Sequence, residues 1–299
     1  MSMRAQYDAQ FSQYYMATSY YNPAYAGFNE DLNLLAMHRQ QWVGIEGAPT
    51  SFFVNADMPI NFGNSKLGAG MILFTESIGL FQNTHVAGQL SHKSSLFGGN
   101  LSIGVQLGIA NNSFDGSKAI PPSGEGGSNS DLAIPTNQVE AMALDVNVGI
   151  FYSVKDFYIG VGAMHLTQPE LMLEENIYTY IGSSYNLTSG YNIKLNNPLF
   201  ELQPSVFLKT DTRSFQTDIT GRIKYSSRFN GGLTWRVNES VVALLGATFG
   251  DIEVGYSYDF PTTPILKGST GSHELMVKYK LKLKKSRSGK NMHKSVRIL

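Results

Sequence analysis

The chain has no cysteine among its 299 residues, which excludes disulfides, iron–sulfur clusters and thiolate zinc sites and is compatible with an oxidising compartment. It has no net charge either: 23 Lys plus Arg balance 23 Asp plus Glu, so no global field draws it to nucleic acid. Charged residues are scarce, 15% against roughly 25% in soluble domains. Yet no run reaches the roughly 18 apolar residues of a membrane helix, and mean hydropathy is slightly negative. Little charge, no long apolar run, 30 Gly, 16 Tyr and 17 Phe fit a transmembrane β-barrel. A soluble β-sandwich shares these values, so composition leaves both open.

What is present is alternation. In "DIEVGYSYDF", Ile252, Val254, Tyr256, Tyr258 and Phe260 fall on one side, and Asp251, Glu253, Gly255, Ser257 and Asp259 on the other. Side chains alternate across a strand, so this is a strand with one apolar and one polar face. The pattern recurs in "LSIGVQLGIA", "LDVNVGIFY", "FQTDITGRIKY" and "HELMVKYKLKL". The polar faces mix charges with small residues (Ser102, Gly104, Gly108, Gly149, Gly160, Gly162 and Gly255), which suits the crowded or water-filled inside of a closed barrel. A strand facing a packed core on one side and bulk water on the other gives the same alternation; a charge at the bilayer midplane costs roughly 2–4 kcal/mol, and the apolar faces carry none, which favours lipid as their solvent.

About fourteen strands are predicted, beginning at Leu32, Thr50, Lys66, Gln82, Asn100, Met142, Asp156, Asn176, Leu199, Phe215, Arg228, Ser240, Asp251 and Ser272. Bacterial barrels have an even strand number, short periplasmic turns and longer external loops. The longest connection, 111–138, follows strand five, whereas "VKD" and "GD" are tight. The long "NLTSGYNIKLNNP" after strand eight breaks the rule, unless it extends that strand with a bulge. The resulting division is an N-terminal periplasmic or lumenal segment, 1–31, a barrel, 32–283, and a basic tail, 284–299. "MSMRA" ends at a small residue, Ala5, which suits the stub of a signal peptide. The tail carries Lys284, Lys285, Arg287, Lys290, Lys294 and Arg297 without an acid. It reads as a solvated disordered arm or as a basic arm for an acidic partner.

Catalytic and metal signatures are weak. The six histidines show no HExxH spacing. "GVGAMH" lacks the third glycine of a dinucleotide fingerprint and sits in a strand. Asp251, Glu253 and Asp259 share an inner face and could form a carboxylate pair, but Arg222, Lys224 and Lys278 supply counter-charges that explain them structurally. No catalytic, cofactor-binding or metal residue is therefore assigned.

"QFSQYYMATSYYNPAYAG", residues 10–27, followed by "HRQQWVGIEGAPTSF", residues 38–52, resembles the PorP/SprF family of the type IX secretion and gliding apparatus. "FYIGVGAMHL", "QPSVFLKTD", "GLTWRVNES", "GYSYDF" and "GSHELMVKY" follow in the family's order, so the resemblance runs from about Gln6 to Leu281. It implies an outer-membrane antiparallel up-and-down barrel of fourteen strands with both termini periplasmic. It further implies a non-enzymatic role, without cofactor, in export or surface attachment of cargo such as gliding adhesins. The implied partners are outer-membrane lipid, cargo C-terminal domains and periplasmic motor lipoproteins. Candidate partner contacts are Asn22, Pro23, Tyr25 and Gly27 in the first motif and His38, Arg39, Gln41 and Trp42 in the second. Their structural reading is a turn at Asn22-Pro23 and an interfacial ring at Trp42. The alternative function is a diffusion channel for small solutes through a polar lumen.

Overall fold

The computed structural model describes residues 8–62, 65–118, 135, 137–174 and 177–283. The tail, with Lys284, Lys285, Arg287, Lys290, Lys294 and Arg297, and most of the longest loop lie outside the described residues. Fourteen strands form the wall. They are β1 (Leu32–Gln40), β2 (Thr50–Phe62), β3 (Ser65–Ile78), β4 (Phe81–Leu96), β5 (Gly99–Asp115), β6 (Gln138–Val154) and β7 (Phe157–Met164). Then come β8 (Ser184–Tyr191), β9 (Phe200–Thr210), β10 (Phe215–Tyr225), β11 (Phe229–Arg236), β12 (Ser240–Phe249), β13 (Ile252–Pro261) and β14 (Ser272–Leu281). Each pairs antiparallel with its sequence neighbour, and β1 closes on β14 from Leu32 opposite Leu281 to Gln40 opposite His273. Closure leaves no sheet edge, as lipid demands, because an unpaired backbone group there costs several kcal/mol.

One predicted strand changes place, and one open alternative is decided. Strand eight begins at Ser184, not Asn176; Ile177–Tyr180 pairs instead with Glu170–Glu174 as a separate hairpin in the β7–β8 connection. The hairpin is held because Leu171 and Ile181 bury against the small residues Ala110, Ala141 and Ala143. The long connection after β8 does extend the strand: beyond Asn192, Ile193 and Lys194 pair with Leu202 and Glu201 of β9. One end of the barrel has the connections 63–64, 97–98, 155–156, 192–199, 226–228 and 250–251, with the start of β1 and the end of β14, all short but 192–199. The other carries the long 41–49, 116–137, 165–183 and 262–271 and the short 79–80, 211–214 and 237–239. These are the turn end and the loop end below.

The two faces follow the alternation. Among the described outward positions of the fourteen strands, Asp, Glu, Lys or Arg occurs only at Asp115 and Glu140, on the overshooting tips of β5 and β6. Elsewhere the band is apolar: Val105, Leu107, Leu144, Ile150, Ile219, Leu233, Leu245 and Leu275 are all exposed. Aromatic rings stand toward both rims, with Phe62, Phe97, Tyr225 and Phe249 at the turn end and Phe215, Trp235 and Phe260 at the loop end. That is the dress of a membrane barrel. Asp251 is the exception to the predicted inner face, since it lies exposed in the turn before β13.

The buried core lies inside the wall. Phe11, Tyr14, Tyr20 and Tyr21 of the N-terminal segment pack with Met37, Phe53, Phe74, Met164, Phe207 and Met276 of the strands. This segment enters the lumen from the mouth opposite the end of β14. Asp8 lies beside His165, Ser184 and Lys209 at the loop end of β7–β9, whereas Leu281 ends β14 at the turn end. The segment must run the length of the lumen to reach the start of β1, so the described chain begins and ends at opposite mouths.

If the outer face meets lipid, Leu245→Arg, mid-strand and 65% exposed, is expected to destabilise the folded barrel by about 2–4 kcal/mol. Asp251→Arg in the turn is expected to change stability little. Denaturant titration of both variants in lipid vesicles checks the difference.

Candidate functional site

The site is the lumen and the segment filling it, residues 8–28. No long helix or strand forms there: one α-helical turn, Thr18–Tyr21, and a 3-10 turn, Pro23–Tyr25, are all the regular structure. Pro23 fits the first turn position, where its missing N–H is not needed. Several of the segment's backbone groups find partners on the wall, among them the Ser12, Gln13 and Gly27 N–H groups and the Ser19, Tyr21 and Ala26 carbonyls.

Near the loop end the wall makes an ionic clamp. Glu274 of β14 accepts from the backbone N–H groups of Ser12 (2.7 Å) and Gln13 (2.8 Å). The Ser12 hydroxyl donates to Asp259 of β13 (2.8 Å) and accepts from Arg39 of β1 (2.8 Å) and Arg236 of β11 (3.2 Å). Arg39 pairs with Asp259 at 2.6 Å and Glu274 at 3.3 Å, and Arg236 with Asp259 at 3.0 Å and Asp218 of β10 at 3.2 Å. Gln10 donates to Asp218 (3.1 Å). Five strands thus converge on three residues of the segment, Gln10, Ser12 and Gln13, and every ionic group named is buried. Burying such charges costs several kcal/mol per ion, so removing one partner leaves a large uncompensated penalty.

A second anchor sits at Asp8. Its carboxylate faces His165 (2.8 Å) and Ser184, and its carbonyl accepts from Lys209 (2.7 Å). His165 also faces Asp145 at 3.0 Å, which in turn meets His85 at 3.1 Å. Burial alone would raise the Asp8 carboxyl, but His165 and Lys209 hold it well below the usual carboxylate range. Burial would lower the His165 imidazole, yet Asp8 and Asp145 push it up to about 10.

Further along, the wall makes room by having no side chains. A Cβ on Gly104 would overlap Ala24, one on Gly149 Asn22, one on Gly162 the Tyr21 carbonyl, one on Gly68 the Ala26 carbonyl, and one on Gly255 Gln13. Gly104, Gly149, Gly162 and Gly255 of the polar faces are therefore the imprint of the segment, whereas Gly108 packs against Ala87 and His85 of the wall. Gly27, at φ +59°, turns where the Met58 carbonyl leaves no space for a side chain. Aromatic stacking completes the fit, with Tyr21 4.6 Å and Tyr14 5.1 Å from Phe207 and Tyr20 5.2 Å from both Phe53 and Phe74.

The candidate partner contacts separate accordingly. Asn22 caps Ala24 N–H (3.0 Å) and donates to the Ile150 (2.9 Å) and Val161 (3.2 Å) carbonyls. Pro23 and Gly27 are buried and Tyr25 is packed against Phe28 and Phe151. Arg39 is in the clamp. In this conformation these five contact the chain's own wall and core. His38 is exposed on the outer face of β1, and Gln41 and Trp42 are half-buried in the 41–49 loop. The clamp partners Asp218, Arg236 and Glu274 were not singled out from sequence as site residues; their signal was a charge at an inward position of each strand.

The chain matches the family described as type IX secretion system membrane protein PorP/SprF over residues 3–279. Among curated proteins none matches. Solved structures that resemble it include a Pseudomonas aeruginosa FadL homologue, at 11% identity, covering 86% of this chain and 92% of that one, with TM-score 0.48. Others are the outer membrane phospholipase A of Escherichia coli (11% identity, 84% and 92% coverage, TM-score 0.38) and the β domain of the Bordetella autotransporter BrkA (13%, 85% and 100%, TM-score 0.36). Each of these likenesses is to a barrel and says nothing of activity.

Two outcomes are expected for the anchors. Glu274→Ala, which strips two backbone N–H groups of their acceptor and Arg39 of one of its two carboxylate partners, is expected to cost about 3–5 kcal/mol, read by denaturant titration. The raised His165 contributes stability in full below about pH 6.5 that is lost as pH climbs through about 10. The lowered Asp8 contributes stability above about pH 4 that is lost on acidification. Melting temperature against pH is therefore expected to fall on both sides of this window, and His165→Gln to flatten the alkaline fall.

Proposed function

The chain belongs to the PorP/SprF family of type IX secretion system membrane proteins, and from that premise we propose that it serves export without catalysis. It is an outer-membrane barrel that carries no substrate through its own lumen and offers its ends to other proteins. By the rule of short periplasmic turns, the turn end faces the periplasm, where lipoproteins of the secretion motor dock. The loop end faces outward, where the C-terminal domains of exported cargo are handled or attached. His38, Gln41 and Trp42 remain the contact candidates from the two motifs, together with the tail residues Lys284, Lys285, Arg287, Lys290, Lys294 and Arg297.

The observation that carries this reading is the filled lumen. Residues 8–28 are bound to the wall by ion pairs, by backbone acceptors and by stacked rings along its length, and nearly all are buried. A diffusion channel would keep its polar inner face wet; here that face is spent on the chain's own segment. A scaffold needs such filling, since it makes the barrel rigid without leaking.

Two experiments test it. Comparison of surface and secreted proteins from cells with and without the gene is expected to show loss of one or a few large proteins, or of the whole type IX set. Unchanged secretion with altered uptake of small solutes would reverse the reading in favour of a channel. In planar bilayers the full chain is expected to give no conductance steps, and a chain lacking residues 8–28 to give them if it still closes. Steps from the full chain would contradict the proposal.

A further inference from the structure

A small cleft opens at the loop end, outside the packed segment. Its wall is Trp42 from the 41–49 loop with Pro261 and Ile265 from β13 and its following loop, and its polar side is Glu239, Ser240 and Asp259. The cleft measures about 50 Å³, several times the roughly 10–15 Å³ that one water requires on the same measure.

The walls are fixed. Val43 N–H donates to the Gly271 carbonyl and Thr270 N–H to the Val43 carbonyl, both at 2.8 Å, and Trp42 N–H donates to the Ser272 hydroxyl at 3.1 Å. These bonds join the 41–49 and 262–271 loops and hold Trp42 at φ +49°, an uncommon conformation for a bulky residue. Two features of the cleft point to a missing partner. Ser240 is 3% exposed and its hydroxyl has no hydrogen-bond partner among the described residues. Four carboxylates, Asp218, Asp259, Glu274 and Glu239, share the guanidinium groups of Arg39 and Arg236 in the clamp pairs and the 3.5 Å pair of Arg236 with Glu239, and Glu239 also accepts from the Gln216 amide at 3.3 Å. Of the four, Glu239 alone reaches solvent, its side chain 37% exposed.

We propose that this cleft binds the cationic tip of a basic side chain, an arginine guanidinium or lysine ammonium, presented by a polypeptide at the loop end. Glu239 supplies the rim acceptor and the local negative charge. The Ser240 hydroxyl supplies a second acceptor whose burial is otherwise uncompensated, and Trp42 supplies an aromatic wall of the kind that attracts cations. Asp259 is already held by Arg39, Arg236 and Ser12, so the visitor engages Glu239 first. The inference needs the cleft alone and stands apart from the export role.

The test uses the full chain in detergent with Trp235→Phe. The two tryptophans are Trp42 and Trp235, and Trp235 faces lipid, so this change leaves Trp42 as the sole emitter. N-acetyl-arginine amide is titrated against its neutral isostere N-acetyl-citrulline amide, and against magnesium chloride. The expected result is a saturable change in Trp42 emission with the arginine probe only, weakened about tenfold or more by Glu239→Gln, as befits loss of a charge-assisted hydrogen bond. Heat-dependent gel migration confirms that the variant remains a folded barrel. No saturable change, an equal response to citrulline, a response to magnesium alone, or undiminished binding in Glu239→Gln would each overturn the proposal.

Discussion

The constraint on which the rest depends is that no backbone hydrogen bond can be left open in lipid. A sheet obeys it only by closing, and closing fourteen strands encloses more volume than the wall's own side chains fill. In this chain the surplus volume is filled by residues 8–28. That choice dictates the lumen's composition. Where the segment's backbone lies against the wall, the inward residue is glycine, as at Gly68, Gly104 and Gly162. Where its N–H groups would be stranded, the inward residue is a carboxylate, as at Glu274.

The molecule is accordingly inverted relative to a soluble domain. Its apolar residues divide between an outer band that faces lipid and an inner cluster around Phe11 and Tyr20, with a polar and ionic layer between. The ionic clamp is costly to assemble, because its members are desolvated; the charges pair with one another across the wall, and Ser12 completes the network by sitting among Arg39, Arg236 and Asp259. Register of the segment and register of five strands are thus fixed together. A barrel so filled suits a family whose setting is the type IX secretion system, in which polypeptides are the traffic and leakage is a hazard.

The strands were legible because alternation is local. The predicted starts at Leu32, Thr50, Phe215, Ser240 and Ser272 coincide with the observed ones, and most others fall within one residue. Strand eight was misplaced because Ile177–Tyr180 is itself a genuine strand, and nothing in its sequence says that its partner is the neighbouring hairpin arm rather than the wall. Small residues on the polar faces announced crowding or water without deciding between them, since the decision rests with a segment about 80 to 240 residues away in the chain. The same distance hid the clamp. Arg39, Asp218, Arg236, Asp259 and Glu274 each look like an ordinary inward charge, and only closure brings them to one point.

The central claim, that residues 8–28 occupy the lumen, is tested most directly by chemical access. The chain has no cysteine, so a single cysteine reports without background. Ala17 and Ala24 are fully buried, and Asp251 in its turn is exposed. With Ala17→Cys, Ala24→Cys and Asp251→Cys in isolated membranes, a small maleimide is expected to label the third and to reach the first two only after heat unfolds the barrel. Labelling of Ala17→Cys and Ala24→Cys in the folded protein at the rate of Asp251→Cys would contradict the account.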